Sequence, residues 1–336
     1  MTTSLIICTY KRPGPLRRLL ESVRVQSRVP EEIIIVDGSK DDATQKMLEA
    51  MTFENIRYFQ VSAQDRGLTR QRNFGIQKLA GDSEIVCFLD DDTVLESDYF
   101  EQLLATYRLH PDALAVGGYI SNEVAWVPVP TDYVARVDEF VYDGYKRTDG
   151  SRFVLRKKLG LDSDVPPAHF PEFGHGRSVG FLPPGGKTYP VQQIMGGVAS
   201  YRREVFDMMS FSTYFEGYGL YEDADFSLRL SKKGKLYVNT AARLQHLHEP
   251  SGRPNQFTYG KMVVRNGWYV WRVAHPHPSL KARFKWHAIT LLLTFVRLTN
   301  VVTIKKRKAA FTEALGRIVG WWSLFFSLGA LREPYA

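Results

Sequence analysis

Short apolar runs alternate with stretches of helical spacing through the first third of this 336-residue chain, and one run ends in three consecutive carboxylates. Ser4 to Thr9, Ile33-Ile34-Ile35-Val36, Ile56 to Val61, Glu84 to Leu89 and Ala113 to Ile120 read as strands. Between them, Leu16, Leu19, Leu20 and Val23 recur at helical spacing behind Pro13 and Pro15. Helices are also expected over Asp41 to Ala50, Leu68 to Leu79 and Ser97 to Leu109. This order predicts a mostly parallel sheet covered on both faces. Right-handed crossovers would carry several strand ends to one edge. Thr9-Tyr10, Asp37 and Asp90-Asp91-Asp92 should therefore meet there.

In open α/β sheets, ligands bind outside the carboxyl ends of the strands. Three like charges at such an edge repel unless a cation or a donor-rich ligand offsets them. Hard divalent cations such as Mg2+ favour oxygen ligands and share them with phosphates. The bland alternative is a solvated acidic turn capping the next helix. Asp37 either accepts hydrogen bonds from a base or ribose or caps the helix near Asp41. Arg70 and Arg72 carry guanidinium groups suited to phosphate. They point about 200° apart on a helix, so one suffices. The first turn, Cys8 to Gly14, lacks both the G-x-G-x-x-G fingerprint and the P-loop pattern. A net charge of +8 favours anionic partners, but no arginine-rich arm or zinc pattern points to nucleic acid. Cys8 and Cys87 lie in apolar runs and read as buried thiols of a reducing compartment. No secretory signal is read, because Ser4 to Cys8 is short and lacks a basic leader.

A second acidic cluster lies at Glu222-Asp223, at the start of a helix expected over Tyr221 to Lys232. The helix dipole alone favours acids there, and Asp225 and Arg229 are spaced to pair. A functional carboxylate would instead take the proton from an attacking hydroxyl. His246 and His248 follow the strand-like run Leu236-Tyr237-Val238. Residues 121 to 190 are rich in proline and aromatic residues and read as a loop-rich insertion. Trp126, Tyr133, Tyr142, Phe173 and His175 there either stack on sugars or belong to a core. Gly196-Gly197 permits close backbone approach to a substrate, or marks a tight strand entry. Two apolar runs close the chain, Trp286 to Ile304 and Ile318 to Leu331, with Lys281, Arg283, Lys285 and Lys305-Lys306-Arg307-Lys308 around the first. Arg297 near its centre makes spanning a membrane costly. An interfacial helix pair fits the pattern better, with a soluble helical subdomain as the alternative.

The chain resembles glycosyltransferase family 2, the inverting enzymes with a GT-A fold. The resemblance rests on Ile6 to Arg12, Ile34 to Ser39, Arg72 to Ile76, Phe88 to Thr93, Gly196 to Arg203 and Tyr221 to Leu230, in the family's order over about residues 3 to 255. It implies an α/β fold of GT-A type, Rossmann-like and mostly parallel, with a C-terminal helical extension. The implied domains are 1–255, catalytic, with an acceptor or lid insertion at 121–195, and 256–336, helical and membrane-associating. The implied reaction is transfer of a sugar from a nucleoside-diphosphate sugar to a glycan or lipid-linked hydroxyl, with Mn2+ or Mg2+. Thr9, Tyr10 and Arg12 would line the nucleotide side, Asp37 would contact base or ribose, and Arg70 and Asn73 join the donor-binding set. Asp90 and Asp91 would approach donor sugar, ribose or metal-bound water, with Asp92 and His246 on the metal. Asp223 would be the base, with Glu222 next. The expected location is cytoplasmic, peripheral on the inner membrane face. The rival readings are a sugar-phosphate nucleotidyltransferase and a non-catalytic subunit of a membrane glycan-assembly complex.

Overall fold

The computed structural model describes residues 1–336 except Thr52, Glu216, residues 250–253, Ile304 and residues 327–336. The Pro250-Ser251-Gly252 segment and the end of the second apolar run lie outside the described residues. The described residues fall into two units. The first contains residues 1–128, 167–169 and 178–252; the second contains 129–166, 170–177 and the chain from 253 onward.

The first unit is built on strands β1 (Thr3–Thr9), β2 (Glu32–Asp37), β3 (Ile56–Gln60), β4 (Ile85–Asp90), β5 (Thr93–Leu95) and β6 (Ala113–Ile120). Helices α1 (Pro13–Arg24), α2 (Ala43–Glu49), α3 (Leu68–Gln77) and α4 (Tyr99–Leu109) alternate with them. Later strands Thr188–Val191, Val198–Arg202 and Lys235–His246 complete a nine-stranded sheet among the described residues. β1 pairs in parallel with both β2 and β4, and β2 with β3. Val198–Arg202 runs antiparallel to both β4 and β6, which makes β6 parallel to β4. The sheet is thus mostly parallel, as the alternation predicts.

Burial explains why the apolar runs form strands. Every residue of β2 is buried, and β1 is buried except at Cys8. A strand covered on both faces needs a continuous apolar run rather than an alternating one. Leu16, Leu19, Leu20 and Val23 of α1 pack into the same core as Leu5, Ile7, Ile33 and Ile35. Each such side chain contributes about 1.5–3 kcal/mol by leaving water. Burial also pushes the Cys87 thiol up, and neither cysteine is disulfide-bonded.

The register delivers the acidic edge. Thr9 lies opposite Asp37, and Cys8 opposite Asp90. The strand Lys235–His246 is far longer than the three-residue run that signals it. It first follows β6 in parallel, shifts register between Val238 and Arg243, and then pairs its end with β5. His246 thereby lies opposite Thr93, one residue beyond the acidic run.

The second unit holds a hairpin, Glu139–Tyr142 with Tyr145–Thr148, and helices over Ser151–Lys158, Gln256–Ala274, Leu280–Thr303 and Arg307–Phe326. Phe173 is core here, packed with Ala282 and Ile289, and His175 lies against Trp286 with Nε2 3.1 Å from Thr290 Oγ1. For these two aromatic groups the core reading holds. Arg297 pairs with Glu313 at 2.7 Å, and Arg317 holds the same buried carboxylate at 2.8 Å. No described helix is long and apolar enough to cross a membrane. Glycines let two of these helices touch backbone to backbone. A Cβ at Gly316 would fall 2.1 Å from the Phe257 carbonyl oxygen, and one at Gly260 would fall 2.2 Å from that of Glu313. Gly316→Ala should therefore force the helices apart and cost about 1–3 kcal/mol. Thermal unfolding followed by circular dichroism should show a lower midpoint; an unchanged midpoint would contradict the contact.

Candidate active site

Five segments of the first unit supply the site: the ends of β1 and β4, the inner face of α3, the Gly196-Gly197 turn, and the start of the helix Glu222–Leu230. Its centre is Arg72. The guanidinium is buried, with Nη1 2.5 Å from Glu222 Oε1 and Nη2 3.9 Å from Asp90 Oδ1. It also lies over the rings of Phe88 and Phe211, at 5.5 and 5.2 Å. Arg72 faces inward because α3 packs its Gly75 side on β1. A Cβ at Gly75 would sit 2.7 Å from Ile6 Cγ2. Positions 72 and 75 share a helix face.

Arg70 points elsewhere and donates to the Gln64 carbonyl at 2.8 Å. Asn73 clamps backbone, donating to the Phe211 carbonyl at 2.8 Å and accepting from the Phe211 N–H at 3.0 Å. Of the α3 residues, it is Arg72 that lies among the carboxylates. The shared face with Gly75 was the signal available in the sequence.

Glu222 is buried beside Arg72, and its Oε2 has no hydrogen-bond partner among the described residues. Burial pushes its carboxyl up to about 8, while Arg72 pulls it down. Tyr221 enters the left-handed region (φ 73°), turning the chain sharply so that Glu222 and Asp223 open the helix. Asp223 is more open than Glu222 and accepts from the Gly196 N–H at 3.3 Å. Asp225 takes the bland role, buried and paired with Arg229 at 2.7 Å.

The glycine pair makes room for charged side chains. A Cβ at Gly197 would lie 2.1 Å from Asp90 Oδ2, and one at Gly196 would lie 2.6 Å from Glu222 Oε1 and 2.8 Å from Arg72 Nη1. Carboxylates and guanidinium fill the room that the missing side chains leave.

Asp91 is buried, accepting from Thr9 Oγ1 at 2.7 Å and Arg12 Nη1 at 3.0 Å. Burial raises its carboxyl to about 6, against the pull of Thr9 and Arg12. Asp92 accepts from the Glu249 N–H at 2.8 Å and lies 3.1 Å from His246 Nε2. Burial works against its charge, but His246, the Glu249 amide and Arg12 hold the carboxyl below its ordinary value. Burial likewise disfavours charge on His246, yet Asp92, Glu123 and Asp90 together push it up to about 10. Asp37 is fully buried and does not cap α2. It accepts from the Ser39 N–H at 2.7 Å and the Tyr58 hydroxyl at 3.1 Å. Tyr10 is exposed at the rim.

One ligand atom each from Asp90, Asp92 and His246 lies within 4.8 Å of the others. Two carboxylates and an imidazole suit a divalent cation of hard to borderline character. Residues 4–165 match the sequence model of Glycosyl transferase family 2. The chain carries a glycosyl transferase family 2 domain. Among curated proteins, the chain is 33% identical over 143 residues to the glucosyl-dolichyl phosphate glucuronosyltransferase of Haloferax volcanii, 42% of each chain. It is 29% identical over 103 residues to the GalNAc(5)-diNAcBac-PP-undecaprenol beta-1,3-glucosyltransferase of Campylobacter jejuni, 30% of this chain and 33% of that one. The matched part thus spans less than half the length of either relative. The solved structure of GalNAc-T7 with UDP, GalNAc and Mn2+ superposes with a TM-score of 0.51 at 16% identity, over 82% of this chain and 50% of that chain. This likeness shows the fold alone, which is of GT-A type.

The raised Asp91 carboxyl predicts a pH dependence. A folded value of about 6 against an ordinary 3.8 means that the folded protein holds this proton longer. The group's stabilisation is complete below about pH 3.8 and is lost as pH rises through about 6. Asp91→Asn cannot titrate. Its unfolding free energy relative to wild type should therefore rise by about 3 kcal/mol between about pH 3.5 and pH 7. Urea unfolding at the two pH values measures this, and a constant difference would refute the shift.

Proposed function

We propose that the chain is an inverting glycosyltransferase that moves a sugar from a nucleoside-diphosphate sugar to a hydroxyl of a glycan or lipid-linked glycan. The observation that carries the reading is the convergence of Asp90, from the segment that matches the family 2 model, with Asp92, His246 and Asp223 around one sheet edge, although Asp223 and His246 lie beyond the matched residues 4–165. The relatives named above fit it, as two are named for sugar transfer or for polyprenyl-linked sugars.

In this reading Thr9, Tyr10, Arg12 and Asp37 belong to the nucleotide side. Asp90, Asp92 and His246 would hold Mn2+ or Mg2+, and the imidazole favours Mn2+. Such an ion, when bound, offsets charge developing on the leaving diphosphate. Asp223, open at the helix start, takes the proton of the acceptor hydroxyl as its oxygen bonds to the anomeric carbon and the bond to the diphosphate oxygen breaks. A single displacement with one base inverts the anomeric centre. Glu222, pinned by Arg72, holds the helix start in place. Asp223→Asn should lower turnover at least ~100-fold with the fold intact. Asp92→Asn should abolish the Mn2+-dependent rise in melting temperature that the correct nucleotide-sugar produces. Full turnover in the first variant, or an unchanged shift in the second, would remove the matching role.

The helical unit is proposed to rest on an anionic membrane surface. Phe284, Phe295, Val302, Trp322 and Phe326 are exposed on its last two helices. Lys281, Arg283, Lys285 and Lys305-Lys306-Arg307-Lys308 supply the matching charge. The full chain should co-sediment with phosphatidylglycerol-containing vesicles, less so at high salt, and Phe284→Ser with Trp322→Ser should weaken this. No vesicle binding by wild type would rule it out.

A further inference from the structure

We infer that Glu123, His246 and His248 form a second cation site, suited to a nitrogen-preferring divalent ion such as Zn2+, which competes with the Asp90–Asp92 site for His246. One ligand atom from each of the three residues lies within 4.8 Å of the others. His248 Nε2 is 3.0 Å and His246 Nδ1 3.7 Å from the same oxygen, Glu123 Oε1. The two rings lie 4.1 Å apart. Glu123 and His248 are solvent-accessible, so an ion can enter without rearranging the core. Two imidazoles and a carboxylate form a borderline-soft donor set, whereas Asp90, Asp92 and His246 form a harder one.

The backbone builds this cluster from several independent contacts. Asn122 brackets His246, donating to its carbonyl at 3.0 Å and accepting from its N–H at 3.0 Å. That pair puts the next residue, Glu123, beside the imidazoles. His248 lies just past the end of the strand, and its ring sits beside that of His246. His248 adopts the left-handed region (φ 52°), an uncommon conformation for a residue with a Cβ. The Leu247 and Glu249 amides on either side both donate to Asp92, at 2.9 Å to its carbonyl and 2.8 Å to its carboxylate. The turn is thus tied down while its two rings face Glu123.

His246 joins both clusters through opposite ring nitrogens, Nε2 toward Asp92 and Nδ1 toward Glu123. A neutral imidazole offers a lone pair at only one of them. An ion held by Nδ1 therefore withdraws His246 from the Asp92 side. The second site stands without the glycosyl-transfer reading; only the competition draws on the cation site proposed there.

Calorimetric titration of the metal-free full chain with Zn2+ and, separately, Mn2+ tests both parts. Zn2+ affinity should fall at least ~10-fold in His248→Ala and in Glu123→Gln, and stay within about twofold in Asp92→Asn. Mn2+ affinity should show the opposite pattern. Zn2+ added to the Mn2+-loaded protein should release Mn2+, seen as the free-ion electron paramagnetic resonance signal. No Zn2+ binding, or Zn2+ binding that falls in Asp92→Asn but not in the other two, would overturn the site. Zn2+ binding at Glu123 and His248 without Mn2+ release would overturn the competition. Absence of Mn2+ binding in wild type with normal Zn2+ binding would count against the proposed function and leave the second site standing.

Discussion

One buried guanidinium makes the acidic edge of this protein tolerable. Glu222, Asp90 and Asp223 come from two distant segments, and Arg72 comes from a third. Carboxylates crowded in a low-dielectric place repel and lose their hydration. Arg72 supplies the opposite charge where Glu222 is most deeply buried. Its own position depends on Gly75 letting α3 approach β1, and the carboxylates depend on the empty space at Gly196 and Gly197. A side chain at any of these glycines would collide with the charged cluster or with the strand that carries it. The charged cluster is therefore a packing solution as much as an electrostatic one.

The Asp92–His246 side of the edge is organised by backbone pairing. Asp91-Asp92 form the tight turn between β4 and β5, and β5 pairs with the end of Lys235–His246. That pairing, rather than any spacing in the chain, brings His246 to Asp92. The amides of Leu247 and Glu249 then anchor the turn that follows. Asp91 behaves differently from its neighbours because Thr9 and Arg12 engage it as part of the protein interior. Three consecutive aspartates thus occupy three environments, which their identical side chains do not reveal.

Much of the first unit was legible because its central strands are buried on both faces. Continuous apolar runs gave β1, β2 and β4 to within a residue or two at each end. Helix ends were less sharp; α4 begins at Tyr99 rather than Ser97. The strand β5 has no signature in the sequence, because three residues carry no periodicity. Lys235–His246 was read from Leu236-Tyr237-Val238 alone, since its later part contains Asn239, Thr240, Arg243 and Gln245 and depends on two different partners. Helical spacing separates Arg70 from Arg72 without saying which faces inward; the packing of α3 on β1 puts Arg72 among the carboxylates. Glu123 carried no motif at all.

By itself the sequence determined the alternating α/β order, the acidic strand end and the second acidic pair at a helix start. These follow from local rules: burial patterns, turn chemistry and helix-end preferences. Only the tertiary structure decided which charges meet. Arg72 and Glu222 are 150 positions apart, and His246 and Glu123 are also far apart in the chain. Their contacts depend on strand order and register, set by the packing of the whole sheet rather than by any one segment.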